Sequence, residues 1–229
     1  MEGKRMSDPI TVLVVDNQRI VCQSIRALIT PQPDILLVGE ASDGEEAFRV
    51  VRDTAPDVIL IDLNLSGVLS SLETIRLLKQ VSPRSQIAGM SDGVPGETVL
   101  AVMRAGALVC FIKNVRAGEL VAILRTVARG DTLLDQWIAG QLLSETDNKS
   151  WSSLWHPAML AEHEREILTL SAAGHSIADI ARQMLMSEKL VRDHMSNIVG
   201  KLQQVDRTET ALCERREMLR REFFAAYPG

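Results

Sequence analysis

With 229 residues, 46% apolar side chains, 24% charged ones and a formal charge of −5, the chain has the make-up of a globular protein long enough for two domains. No apolar run approaches the ~18 residues of a membrane span, and the charged opening MEGKRMSDP does not read as a secretory signal. Cys22, Cys110 and Cys213 are too scattered for a zinc or redox motif, so reduced thiols in the cytoplasm, with no membrane association, are the expectation.

The charge is unevenly spread. Residues 1–150 hold 15 Lys and Arg against 19 Asp and Glu, whereas residues 151–229 hold 10 against 11. The C-terminal part is the less acidic, without being the basic domain that strong phosphate binding favours.

In chain order, Thr11–Val15, Ile35–Gly39, Val58–Ile61, Gln86–Met90 and Leu108–Ile112 are short apolar runs of the kind buried on both faces of a parallel sheet. Helically spaced apolar residues separate them, such as Ile20, Ile25, Leu28 and Ile29, or Leu120, Ile123, Leu124 and Val127. Five successive strand–helix units predict an α/β doubly wound five-stranded parallel sheet over residues 8–130, with function at the carboxyl ends of its strands. Residues 131–158 read as a linker with a short helix at Trp137–Leu143, punctuated by Trp151, Trp155 and Pro157. Residues 159–229 show no strand pattern. Helices at Glu162–Ala173, Ser176–Leu185, Ser187–Gln203 and Thr208–Phe224 predict an all-α four-helix domain, with Gly174 as a helix stop and Ser176 and Ser187 as caps. Their tight connections are those of a helix-turn-helix.

At the strand ends stand Asp16, Asp62, Ser91 and Lys113. An acid pair binds a hard divalent cation through oxygen, and a hydroxyl and an ammonium nearby can meet the oxygens of an anion. This is equipment for placing a phosphoryl group on Asp62. Singly, an Asp at a strand end caps a helix and a Lys is solvated; only the ordered set is specific.

These segments, VLVVDNQRIV, PDVILIDLNLSG, the strand ending in Ser91 and AGALVCFIKN, resemble the CheY-like receiver domain of two-component response regulators. The C-terminal half resembles the LuxR-type helix-turn-helix of the NarL/FixJ class. The resemblance implies that Asp62 is the phospho-acceptor, Ser91 the switch hydroxyl and Lys113 the phosphate-sensing lysine. It also implies a Mg²⁺ site of Asp16, Asp62 and the backbone carbonyl of Asn64. Three departures stand out. The second acid of the usual pair is Asn17, which weakens that metal position; Leu65-Ser66-Gly67 replaces the usual Met-Pro-Gly; and Cys110 holds the aromatic switch position, with Phe111 on the opposite strand face.

In LAEHEREILTLSAAGHSIADIARQMLMSEKLVRDHMSNIVGKL, Ser187–Leu202 is the recognition helix. Arg192 is the first candidate for a base contact, through a guanidinium fork on guanine. Ser196 could reach a base or phosphate, Lys189 and Lys201 position the helix on phosphates, and His194 and Asn197, in the HxxN stretch, are structural or backbone-contacting rather than base-reading. Leu190, Ala178 and Asp193 replace or oppose contacts usual in the family, so modest, dimerisation-dependent affinity is expected.

The reading is a bacterial response regulator that binds promoter DNA as a transcription factor, and no enzyme activity is expected, since the sequence has neither the GxSxG elbow nor the phosphate loop of common nucleophile and nucleotide enzymes. Control by phosphorylation at Asp62 from a cognate histidine kinase, in a homodimer, is the leading expectation. The alternative is a pseudo-receiver controlled by dimerisation, a ligand or a protein partner; a further rival is a helix-turn-helix that binds protein instead of DNA.

Overall fold

The structure, a computed structural model, describes residues 8–93, 96–132, 134, 136–144 and 159–205. The expected helix at 208–224, Trp151, Trp155 and Cys213 lie outside the described residues.

Strands β1 (Ile10–Val15), β2 (Ile35–Ala41), β3 (Val58–Asp62), β4 (Gln86–Ser91) and β5 (Ala107–Ile112) form one parallel sheet in the order β2-β1-β3-β4-β5. Every residue of β3 is buried, as its unbroken apolar run requires of a central strand. Helices α1 (Arg19–Ile29) and α5 (Ala117–Ala128) cover one face, where Cys22, Ile25, Leu120 and Leu124 pack with Val12, Leu60 and Phe111. Helices α2 (Gly44–Thr54), α3 (Ser71–Val81) and α4 (Gly96–Arg104) cover the other, with Ala47, Ile75, Leu78 and Val99 against Leu13, Ile61 and Cys110. The starts of α2 and α3 are set by sequence: Asp43 accepts the Glu46 N–H, and Ser70 with Glu73 forms a reciprocal capping box.

Helix α6 (Gln136–Ser144) packs on both α4 and α7 (Glu162–Ala172), burying Ile138, Ala139 and Leu142. The part of the chain expected as a linker thus contributes core. Gly174 ends α7 at φ +86°, a left-handed conformation that suits glycine, and a side chain there would press on Gln136. Ser176 Oγ accepts the Asp179 N–H at the start of α8 (Ile177–Gln183), and Ser187 Oγ accepts the Leu190 N–H at the start of α9 (Glu188–Val205). Between α8 and α9, Leu185 adopts φ +56° with its side chain almost fully exposed. The small core under these helices is Ile167, Leu168, Ile180, Val191, Ile198 and Leu202.

Helix α9 also lies against α4. Gln203 Nε2 donates to the Ala107 carbonyl at 3.2 Å. Beside this contact, a mostly apolar cavity of about 370 Å³ runs between the two halves, lined by Val109, Phe111, Leu134, Ile177 and Met195 among others.

Candidate functional site

The parallel sheet brings the carboxyl ends of β1, β3, β4 and β5 together, and with them the four residues that the sequence singles out. Asp16 and Asp62 are buried. Lys113 Nζ lies 2.8 Å from Asp16 Oδ2 and 3.1 Å from Asp62 Oδ1. Ser91 is fully buried at the end of β4, its Oγ accepting the Gly93 N–H at 2.8 Å and its carbonyl accepting the Lys113 N–H at 2.7 Å. That backbone bond sets Lys113 beside β4, so its side chain reaches across to β3 and β1.

The two acids are held differently. Asp16 Oδ1 accepts the Gln18 N–H at 2.8 Å, and Oδ2, without a hydrogen bond among the described residues, is ion-paired with Lys113. Asp62 Oδ1 accepts the Asn64 N–H at 3.0 Å in addition to facing Lys113, whereas Oδ2 is buried with no hydrogen-bond partner among the described residues. Burial raises the Asp62 carboxyl above its usual range, outweighing the opposite pull of the Asn64 N–H and Lys113. On Lys113, burial acts to lower the ammonium, but the facing carboxylates of Asp16 and Asp62 outweigh it and hold it raised and charged.

Asn17 is exposed, and its Nδ2 donates to Ser66 Oγ at 2.8 Å. Two of the departures noted in the sequence therefore touch each other: the amide in the second acid position is tied to the serine after Leu65. Cys110 and Phe111 point to opposite faces of β5, Cys110 into the core beneath α3 and α4 and Phe111 beneath α1 and α5. Cys110 packs close to Gly89, where an added Cβ would lie 3.2 Å from its Sγ.

One residue at this site escaped the sequence reading. Asp92, directly after Ser91, brings Oδ2 to 3.3 Å from Lys113 Nζ. The available signal was an acid next to the strand-end hydroxyl, but only the fold of the following turn shows which way it faces.

On α9, Lys189, Leu190, Asp193 and Asn197 are exposed, while Arg192 and Ser196 are half-buried. Arg192 is paired with Glu188 at 2.9 Å, one turn earlier. Lys201 is engaged inside its own domain, its ammonium on the buried Glu164 of α7, whose same oxygen accepts the Ala161 N–H at 2.7 Å. Lys201 pulls the Glu164 carboxyl below its ordinary value despite the opposing effect of burial. His194 meets His163 edge-on, with ring centroids 4.3 Å apart.

Comparison with known proteins agrees with both halves of this picture. Residues 12–125 match the response regulator receiver domain family, and residues 158–213 match the luxR family of bacterial regulatory proteins. The transcriptional regulatory protein LiaR of Bacillus subtilis is 33% identical over 92% of this chain and 99% of its own length. The chain belongs to the LuxR-type response regulators of the NarL/FixJ class. Another similar protein, the nitrate/nitrite response regulator protein NarL of Escherichia coli strain K12, is 29% identical over 93% of this chain and 98% of its own. The fold is shared with the RcsB response regulator of Salmonella typhimurium, at a TM-score of 0.56 and 20% identity over 86% of this chain and 93% of that one. As a response regulator, the protein joins a receiver with the acidic pocket of its family to a LuxR-type DNA-binding domain, and its family consists of DNA-binding regulators of transcription. Among its described residues no helix is long and apolar enough to cross a membrane.

Proposed function

We propose that this regulator is switched by phosphorylation of Asp62 and then reads promoter DNA with α9, as a homodimer in the cytoplasm. The observation behind this reading is the buried, unpartnered Asp62 Oδ2, in a carboxylate that shares Lys113 with Asp16. An ionised carboxylate with one oxygen free of partners is a nucleophile able to meet an electrophile. That oxygen forms the new bond to phosphorus, while the bond from phosphorus to the donor breaks and its electron pair leaves with the donor, a kinase phosphohistidine or acetyl phosphate. Lys113 then faces the phosphoryl oxygens, and Ser91 is within the same strand-end cluster.

The residues present fit a divalent cation: Asp62 Oδ2 is free and buried, Asp16 lies alongside, and the Asn64 carbonyl and Asn17 amide oxygen complete a set of hard oxygen donors. Mg²⁺ bound there supplies neutralisation of the charge that builds up between carboxylate and phosphate. Because the Asn17 amide oxygen carries no charge, the affinity for Mg²⁺ is lower than with a second acid.

On the DNA side, Arg192 is the base-reading residue, with Ser196 beside it, and Lys189 and Asn197 meet the backbone. Arg192, Ser196, Val199 and Gln203 follow each other at helical spacing, and Gln203 is tied to the receiver. Entry of α9 into a major groove therefore requires it to leave α4. The test is a random-oligonucleotide selection with the full chain, with and without acetyl phosphate. Enrichment of one sequence that strengthens on acetyl phosphate treatment, and does not strengthen in Asp62→Asn, is the expected result. Enrichment of no sequence under either condition contradicts the DNA reading, and enrichment indifferent to both changes contradicts the switch.

A further inference from the structure

Lys113 serves three carboxylates at once: Asp16 at 2.8 Å, Asp62 at 3.1 Å and Asp92 at 3.3 Å. The first two are buried and the Lys113 side chain is 9% exposed, whereas Asp92 is 54% exposed. Resting on the reading of Asp62 as acceptor, this asymmetry has a chemical consequence. A phosphoryl group brings close to two negative charges at neutral pH, and its oxygens need the same ammonium. Of the three acids, Asp92 is the one that can turn to water at little desolvation cost, so it is the one displaced. Until then it occupies a direction on Lys113 that the phosphoryl group must take, and its charge repels the incoming donor.

We propose that Asp92 is a positioning residue that holds Lys113 in the unphosphorylated receiver and competes with the phosphoryl group for it, lowering the sensitivity of Asp62 to its phosphodonor. With Asn17 in place of an acid, the pocket has lost one negative charge on the metal side; Asp92 puts one on the lysine side, where it opposes the reaction. A half-exposed pair of this kind is weak, so the effect is a few-fold, enough to shift a threshold without silencing the site.

The experiment compares the full-length wild type, Asp92→Asn and Asp92→Glu for the initial rate of phosphoryl uptake from acetyl phosphate at fixed Mg²⁺, read by intact mass. The slope of rate against donor concentration rises about threefold in Asp92→Asn and stays at the wild-type value in Asp92→Glu, which keeps the charge. Equal slopes in all three, or the same change in Asn and Glu variants, overturn the proposal. A second measurement needs no phosphorylation: a thermal-unfolding cycle of Asp92→Asn and Lys113→Met in the Asp62→Asn background, which leaves one fewer buried acid when Lys113 is removed. The two changes are expected to be non-additive by about 2 °C. Strict additivity overturns the pairing whatever the labelling shows. If no protein takes up phosphoryl while a control regulator does, the reading of Asp62 as acceptor fails, and a non-additive cycle then supports the hold on Lys113 alone.

Discussion

Two lysines in this molecule each meet a buried carboxylate, and the outcomes are opposite. In the DNA-binding domain, the Glu164 oxygen that Lys201 contacts also takes the Ala161 N–H, and the carboxyl is pulled below its ordinary value. In the receiver, Lys113 is divided among three acids, Asp62 keeps an oxygen with no partner among the described residues, and its carboxyl is pushed up. The first arrangement is a completed structural tie: charge and hydrogen bonds match, so ionisation supports the fold. The second is left incomplete, so ionisation opposes the fold and the spare oxygen is available for chemistry. The contrast separates a buried charge that holds a protein together from one that is kept ready to react.

The comparison breaks first at Lys201. Replacing it with Met leaves Glu164 buried against an apolar end, and the expected loss is about 2–3 kcal/mol, below the figure for a fully buried pair because Lys201 is partly exposed. Denaturant unfolding of the full chain checks this. An unchanged midpoint combined with weaker DNA binding would return Lys201 to the phosphate-contacting role that the sequence suggests. Next comes Arg192→Ala, with about 1–3 kcal/mol of discrimination lost at one base position and little change in fold stability, measured by binding to a panel of single-base operator variants.

Asp62→Asn has the reverse sign on stability. Removing a carboxylate whose ionisation is disfavoured is expected to stabilise the receiver by about 1 kcal/mol while abolishing phosphoryl uptake. Its pH dependence follows from the raised value. The protonated form favours the fold, so the Asp62 contribution is complete at pH below the unfolded-chain carboxyl value and disappears as pH rises through the folded one. The thermal gap between Asp62→Asn and wild type therefore widens with rising pH across that interval and closes in acid. Glu164 behaves oppositely, its contribution present above the unfolded-chain value and lost as pH falls through its lowered one, so Glu164→Gln is most damaging near neutrality. The smallest effect is at Ala161, which takes the N-cap position of α7 in extended backbone without a side-chain acceptor, although Glu164 already returns a bond to its N–H. Ala161→Ser completes the capping box and is expected to add about 0.5–1 kcal/mol, read as a shift in the unfolding midpoint; no shift would mean that the Glu164 bond alone satisfies this helix end.

Much of this was legible in the sequence because parallel sheets translate strand order into a site. Once Asp16, Asp62, Ser91 and Lys113 are placed at strand ends, the topology brings them together with no further information. The alternation of side chains along β5 likewise puts Cys110 and Phe111 on opposite faces. What was not legible depends on turns and on long-range pairing. The Asn17–Ser66 bond joins two loops 49 positions apart, and the approach of Asp92 to Lys113 needs the conformation of the turn after β4. Lys201 reads as a solvated or phosphate-binding lysine on a polar face until Glu164, 37 positions away, is found beneath it. The packing of α6 and α9 on α4 is decided by surface complementarity between domains, which periodicity within each helix does not encode.

The most direct measurement is the intact mass of the wild type and of Asp62→Asn after incubation with acetyl phosphate across a Mg²⁺ titration, beside a receiver known to label. The account predicts a phosphoryl adduct on the wild type alone, with half-maximal labelling at a higher Mg²⁺ concentration than in Asn17→Asp. No adduct at any Mg²⁺ concentration, while the control labels, would contradict it and leave a receiver controlled by dimerisation, a ligand or a protein partner.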